Sequence, residues 1–107
     1  MAMGREYIDY LKSVFNHSQI FTNTTGIPEI SGVYVVYTKD GNGNTVILDV
    51  GESGNINERI SNHDRESCWQ THMINGIYYK IIPCDEELRK VLESTLRGIL
   101  NPTCGER

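Results

Sequence analysis

The fold of this chain is organised around residues 31–63, which read SGVYVVYTKDGNGNTVILDVGESGNINERISNH. This stretch contains two short apolar runs, Val33–Tyr37 and Val46–Val50, whose Val, Ile and Tyr residues suit a pleated, half-buried strand. The loop between the runs, residues 39–44, is dense in Gly and Asn, which adopt positive φ at little cost. The stretch therefore predicts a β-hairpin.

A helix is predicted directly after the hairpin. Residues 51–55 form a turn with residues typical of helix N-caps, and Ile56–His63 follows with helical character. Arg59 and His63 are four residues apart in this segment, so their side chains are expected on the same helix face.

The remaining elements extend the hairpin into an α+β fold. Gly4–His17 has an apolar stripe at helical spacing, and the polar residues 16–29 connect it to the hairpin. Residues 74–82 predict a third strand, which ends at Pro83 because proline donates no hydrogen bond to a sheet. The predicted architecture is a small three-stranded, mostly antiparallel sheet flanked by helices, with an extra N-terminal helix.

A final helix is predicted after the third strand. Asp85 is its expected N-cap, and Pro102 follows its end as a stop signal. Its apolar residues recur at helical spacing and predict a buried stripe of Leu88, Val91, Leu92, Leu96 and Ile99.

Length and charge indicate one small domain. Of the 107 residues, 1–27 are assigned to the N-terminal helix and its connection, and 28–107 to a single globular unit. The formal net charge of −4 does not favour a nucleic-acid partner, since domains that bind nucleic acid usually carry a basic patch. A local basic cleft is still compatible with the sequence, formed by Arg59, Arg65, Arg89 and Arg97.

The cysteines indicate a cytoplasmic protein. Cys68, Cys84 and Cys104 are odd in number and far apart, and no pair has the spacing of zinc ligands, so we expect reduced thiols. No apolar run approaches the roughly 20 residues that span a bilayer, so we expect no membrane partner.

A series of short motifs stands out in the hairpin and the predicted helix. Gly32-Val33-Tyr34 begins the first strand, Asp49-Val50-Gly51 ends the second, and Arg59 lies eight residues after that glycine. From about residue 28 onwards this series resembles the GIY-YIG nuclease family. The resemblance implies a three-stranded antiparallel sheet flanked by helices. It also implies a metal-dependent endonuclease that hydrolyses DNA phosphodiester bonds with Mg²⁺ or Mn²⁺, as in DNA repair and restriction.

The resemblance implies roles for several side chains on or after the hairpin. Tyr34 would help to activate the attacking water, although a phenol with an ordinary pKa is a weak base near neutrality. Arg59 would hold the phosphoryl oxygens with two parallel donors. His63 would orient the water or the phosphate. Ser53 and His72 are further candidates for substrate binding.

Glu93 is the metal ligand that the resemblance implies. It precedes Pro102 by nine residues, as the glutamate on the late helix of the family precedes a proline. One carboxylate, with water and phosphate oxygens, is a common way to hold Mg²⁺. The alternative is an ordinary helix ion pair, since Arg89 and Arg97 both lie four residues from Glu93.

Three departures from the family pattern keep a second function open. Asp49 replaces the tyrosine of the second motif, acidic Glu52 follows its glycine, and Gly105 stands where the family has asparagine. Asp49 is either a second metal-facing carboxylate or the mark of a site that has lost its chemistry. The alternative function is a catalytically impaired domain that binds nucleic acid or a protein partner. A third hypothesis is an interaction domain that works through its N-terminal helix.

Overall fold

The computed structural model describes residues 18–105, together with Asp9 and Ser13. Apart from those two positions, the predicted N-terminal helix Gly4–His17 lies outside the described residues. In chain order, the elements are β1 Gln19–Phe21, β2 Gly32–Lys39, β3 Thr45–Ser53, α1 Ile56–Ser61, α2 Glu66–His72, β4 Tyr78–Pro83 and α3 Glu86–Leu100. The predicted α+β class is confirmed.

The sheet has four strands in the order β1-β4-β2-β3, and every neighbouring pair is antiparallel. The predicted hairpin is confirmed as β2 and β3, which pair from Gly32 opposite Ser53 to Lys39 opposite Thr45. The prediction of three strands is wrong, because β1 pairs with β4 at the opposite edge. Strand β1 has only three residues, two of them exposed, so it lacks the apolar alternation that reveals a strand. It also lies within residues 1–27, so part of that segment joins the sheet.

Helices cover both faces of the sheet, and each face has its own apolar core. Side chains alternate along β2, so Tyr34 and Val36 point to one face and Val33 and Val35 to the other. The Tyr34 face packs against α1 and α2 through residues that include Ile56, Ile60 and Trp69. The α3 face packs against α3 through Leu92 and Leu96. Strand β2 is therefore buried on both sides, which explains its nearly continuous apolar sequence.

The helix after the hairpin is shorter than predicted. It ends at Ser61, and the backbone leaves the helical region at Asn62, whose side chain donates to the carbonyl of Glu58. The prediction that His63 belongs to this helix is therefore wrong. Residues 66–72 form the separate helix α2 rather than a continuation of α1.

Helix α3 begins and ends as predicted, but it buries a different face. Asp85 accepts from the backbone N–H of Leu88, and Asn101 ends the helix with a left-handed φ of 48°. Leu92 and Leu96 are buried as predicted, whereas the prediction is wrong for three residues that are exposed: Leu88, Val91 and Ile99. The buried face is rotated towards Arg89, Glu93 and Arg97. Two of these residues form ion pairs with β3, Arg89 with Glu52 and Arg97 with Asp49. Among the described residues, no helix combines the length and apolar character needed to cross a membrane.

The expectation that all cysteines are reduced is wrong for two of them. Cys68 and Cys104 form a disulfide across 36 residues of sequence, and Cys84 is free. The segment that carries Cys104 lies along the edge of β3, where the backbone N–H groups of Thr103 and Cys104 donate to the carbonyls of Ile47 and Leu48. Sequence spacing could not show this pairing, because the fold brings α2 and residues 101–105 together.

Candidate active site

The candidate site begins with a buried pair of side chains, Tyr34 and His63. The Tyr34 side chain is 1% exposed, and its Oη lies 2.7 Å from Nε2 of His63. Gly51 is directly opposite Tyr34 on β3, and a Cβ at that position would overlap the phenol. Glycine at position 51 therefore lets the phenol ring lie across β3 and reach the segment after α1.

The contacts of His63 favour one tautomer of the neutral ring. Nδ1 lies 3.0 Å from the backbone nitrogen of Arg65, whose N–H can only donate, and 3.3 Å from Oδ1 of the exposed Asp64; the shorter contact with Arg65 favours Nδ1 as an acceptor. In the neutral ring the proton is then on Nε2, which donates to Oη of Tyr34. The phenol oxygen is thus the acceptor in this pair, and its own proton is directed elsewhere.

Burial opposes charge on both members of the pair. It lowers the pKa of His63 to about 4, with further lowering by the positive charges of Arg59 and Arg65. Burial also raises the pKa of Tyr34 to about 12, although Arg59 opposes this through its charge and a hydrogen bond. Both side chains are therefore neutral near pH 7.

Arg59 connects the buried pair to solvent. It lies on α1, its side chain is 38% exposed, and its Nη2 is 3.3 Å from Oδ1 of Asp64. It also lines a surface cavity of about 380 Å³ together with Ser53, Asn55, Glu58 and Asn62. The predicted substrate-binding residue Ser53 thus lies beside Arg59, where its hydroxyl bonds to the backbone of Asn55.

Asp49 lies on the same sheet face as Tyr34 but is surrounded by fixed donors. Its carboxylate accepts from Nε of Arg65 at 2.8 Å, Nη2 of Arg97 at 2.9 Å and Nε1 of Trp69 at 2.9 Å. The backbone N–H of Val50 adds a further bond at 2.8 Å. The structure therefore favours a structural role for Asp49 over the predicted role as a metal-facing carboxylate.

Arg97 links the Asp49 cluster, which consists of Asp49, Arg65, Trp69 and Arg97 itself, to Glu93. It extends from α3, around the edge strand β3, to Asp49, and it also donates to the carbonyls of Val50 and Gly105. Its Nε lies 3.2 Å from Oε2 of Glu93, and the Glu93 side chain is 17% exposed. Glu93 therefore forms the predicted helix ion pair with Arg97, and its side chain is largely shielded from solvent.

Glu93 and the Tyr34 pair lie on opposite faces of the sheet. One turn before Glu93, Arg89 bonds to Glu52 on β3, and one turn after it Arg97 reaches the carbonyl of Val50. Glu93 therefore lies on α3 between two arginines that contact β3 on either side of Gly51. A site that used both Tyr34 and Glu93 would have to form at the edge of β3.

The predicted basic cleft is largely neutralised by acidic neighbours. Each of its four arginines forms an ion pair with a carboxylate: Arg59 with Asp64, Arg65 and Arg97 with Asp49, and Arg89 with Glu52. Arg59 has the most exposed side chain of the four. Its partner Asp64 is 73% exposed, so this pair is weak and easily exchanged.

His72 does not join the candidate site. It ends α2, where its Nδ1 lies 3.0 Å from the carbonyl oxygen of Cys68 and 3.7 Å from Sγ of the same residue. Its contacts are thus with the disulfide rather than with Tyr34, Arg59 or His63.

The residues that hold Asp49 were not identified from the sequence as its partners. Arg65, the N-cap residue of α2, and Trp69 lie four residues apart, so both can point to one place, and this spacing is a usable signal. Nothing in the sequence linked Arg97 to a carboxylate 48 residues away. A strand carboxylate in an apolar run does, however, imply cationic partners somewhere in the fold.

No family model matches the sequence, and no curated protein matches it. The resemblance to GIY-YIG nucleases therefore depends on the motif residues and their spacing, and the family assignment stays a prediction.

Proposed function

We propose that this protein is a metal-dependent endonuclease of the GIY-YIG type that hydrolyses phosphodiester bonds in DNA. The observation that supports this most is the Tyr34–His63 hydrogen bond of 2.7 Å, which lies beneath the solvent-accessible Arg59. Three separate segments supply these side chains, and each stands where the resemblance to the family assigns an active-site residue.

Arg59 is the proposed phosphate ligand. A guanidinium offers two parallel donors that match phosphoryl oxygens, and such a contact strengthens as negative charge develops on them. The present partner of Arg59 is the exposed Asp64, so a phosphate can displace it without opening the core. Ser53 and Asn62 line the same cavity and offer polar contacts to a nucleotide backbone.

Tyr34 is the proposed base for the attacking water. Its oxygen faces two donors, Nε2–H of His63 and the guanidinium of Arg59, which stabilise the phenolate. The phenolate takes a proton from water, the water oxygen attacks phosphorus, and the leaving oxygen takes a proton from solvent. The pKa of Tyr34 is about 12, so at any pH well below 12 an increase of one pH unit raises the phenolate fraction tenfold.

Glu93 is the proposed ligand for the divalent cation. Mg²⁺ prefers oxygen donors and is often held by one or two carboxylates plus substrate phosphates, so the donor chemistry of Glu93 fits. Arg97 contacts only Oε2 of this carboxylate, at 3.2 Å, and the ion would share or replace that contact. Asp49 does not fit, because its oxygens accept from two guanidinium groups and an indole. A divalent ion held by Glu93 would supply positive charge to the phosphate and the leaving oxygen.

The second candidate function is DNA or protein binding without cleavage. Two observations favour it: Tyr34 is almost completely buried, and each of the four arginines near the site has an acidic partner. In this case Arg59 and its cavity bind a phosphate, but no water reaches the phenol.

Cleavage of supercoiled plasmid and branched oligonucleotides, with Mg²⁺ or Mn²⁺, tests the proposal. The informative variants are Tyr34→Phe and Glu93→Ala. Tyr37→Phe on the same strand and Glu86→Ala on the same helix are the matched controls. We expect cleavage by the wild type and both controls, a rate that rises with pH, and loss of cleavage in Tyr34→Phe and Glu93→Ala.

Two outcomes would contradict the nuclease proposal. The first is a folded wild-type protein that does not cut DNA; binding that persists in chelator and weakens with salt would then support the second function. The second is cutting at equal rates by all four variants, because such activity does not depend on the proposed residues.

A further inference from the structure

A group of three metal-binding side chains lies outside the candidate active site. Cys68 and His72 are four residues apart on α2 and share one helix face, and residues 101–105 bring Cys104 to them. The two sulfur atoms and a ring nitrogen of His72 all lie within 4.8 Å of one another. Among the described residues, this is the one group of three or more His, Cys, Asp or Glu side chains with such a spacing.

We propose that Cys68, His72 and Cys104 form a Zn²⁺ site when the disulfide is reduced. A dithiol reductant supplies two electrons and two protons, the S–S bond breaks into two thiols, and the reductant becomes a disulfide. Zinc then replaces the two thiol protons, while neutral His72 donates a nitrogen lone pair. The protein therefore binds zinc in its reduced state and holds a disulfide in its oxidised state.

One sulfur–nitrogen distance fits zinc, and the two sulfur atoms, bonded to each other in the disulfide, move apart to about 3.8 Å when both bind the ion. With Zn–S near 2.3 Å and Zn–N near 2.05 Å, a tetrahedral site separates sulfur from nitrogen by about 3.6 Å. Sγ of Cys68 lies 3.7 Å from Nδ1 of His72. Nδ1 also contacts the Cys68 carbonyl at 3.0 Å, and zinc binding through Nδ1 exchanges that hydrogen bond for a metal bond.

Access and coordination number fit as well. His72 is exposed and Cys68 partly buried, so an ion can approach from solvent, and water can fill the fourth position. A disulfide alone needs no histidine, and the additional nitrogen donor is the feature that favours a metal. In both oxidation states Cys104 stays joined to α2, through sulfur or through zinc, so residues 103–104 can stay on the edge of β3.

The test uses the full chain, reduced with a phosphine and desalted under argon. Zn²⁺ is titrated against a chromophoric chelator, and Co²⁺ in place of zinc gives a thiolate-to-metal charge-transfer band. We expect one Zn²⁺ per reduced chain and none for the oxidised chain. His72→Ala, at an exposed position, should bind zinc at least about tenfold more weakly. Cys84→Ser should match the wild type and is the control for thiols elsewhere.

Four outcomes would overturn the proposal. They are no zinc binding by the reduced wild type, equal affinity in His72→Ala, a Co²⁺ spectrum without a thiolate band, and unfolding on reduction that zinc does not reverse. Trp69 follows Cys68 in the chain, so its fluorescence reports whether the reduced protein is folded. Unfolding on reduction that zinc reverses supports the site, whereas unfolding that zinc does not reverse contradicts it. These measurements are independent of DNA cleavage, so they do not depend on the proposed function.

Discussion

Tyr34 and Asp49 lie on neighbouring strands of one hairpin, and both are almost fully buried, yet their surroundings differ. The carboxylate of Asp49 accepts only from fixed protein groups, two guanidinium groups among them. The hydroxyl of Tyr34 contacts one buried imidazole and lies near Arg59, which borders a cavity. Burial alone therefore does not distinguish Asp49, which fixed partners hold, from Tyr34, the proposed base. The two residues differ in their neighbours: Arg59, near Tyr34, can exchange its exposed partner Asp64 for a phosphate, whereas the partners of Asp49 are fixed.

Removing the Asp49 carboxylate should have the largest effect on stability. Asp49→Ala leaves two guanidinium groups without their buried anion, and breaking such a pair costs about 3–5 kcal/mol. Urea unfolding at pH 7 measures this loss. The control is Glu86→Ala, since the Glu86 side chain is 69% exposed and its ion pairs are long, at 3.7–3.8 Å, so its loss should cost less than about 1 kcal/mol. Similar losses for the two variants would mean that the Asp49 cluster does not stabilise the fold.

Acid should lower the free energy of unfolding, because the buried His63 resists protonation in the folded state. The folded-state pKa of about 4 is below the ordinary value of 6.5, so the unfolded chain binds a proton that the folded chain does not. The free energy of unfolding should be unaffected above pH 6.5 and fall by up to about 3 kcal/mol as pH decreases to 4. Urea unfolding of wild type and His63→Gln across this range isolates the histidine, and equal pH dependence in both would contradict a neutral, buried imidazole.

A glycine pair tests how tightly residues 101–105 close over the Asp49 cluster. Gly105 and Gly43 both have φ near 80°, but only a Cβ at Gly105 would meet cluster atoms, at 2.7–2.8 Å. Both alanine variants lose a residue suited to positive φ. Gly105→Ala should therefore be about 1–2 kcal/mol less stable than Gly43→Ala, because strain is added in a packed site. Equal thermal shifts would mean that this segment is only loosely packed there.

The smallest expected effect is the coupling between Tyr34 and His63. A double-mutant cycle with Tyr34→Phe and His63→Gln should give an interaction energy of about 1 kcal/mol, as for a buried hydrogen bond. Chemical denaturation at pH 7 supplies the four values. Additive losses would indicate that the 2.7 Å contact is not an energetically coupled pair.

The hairpin was predictable because its residues act locally, whereas the Asp49 cluster was not. Val33–Tyr37, the Gly- and Asn-rich loop and Val46–Val50 lie within a few residues of one another, and local propensity is enough to pair them. Arg97 reaches Asp49 across 48 residues, and Cys104 reaches Cys68 across 36. Neither contact has a local sequence signal, so both emerge only from the fold.

The same distinction explains the errors for α1 and α3. A rule that apolar residues are buried placed Leu88 and Val91 in the core, yet the helix rotates so that Arg97 can meet Asp49. The helical character of residues 56–63 predicts His63 in α1, whereas the helix ends at Ser61. The motif spacing nevertheless predicts Tyr34, Arg59 and His63 as site residues, and the fold brings these three side chains close together.

The decisive experiment on the proposed role of Tyr34 compares the cleavage rates of Tyr34→Phe and Asp49→Asn at saturating DNA and at a temperature where both variants are folded. A base that acts on the reacting water contributes about 10²–10⁴-fold, so Tyr34→Phe should lose at least about 100-fold. Asp49→Asn should stay within about tenfold of wild type once its lower stability is taken into account. A wild-type rate in Tyr34→Phe, or a greater loss in folded Asp49→Asn, would contradict the account.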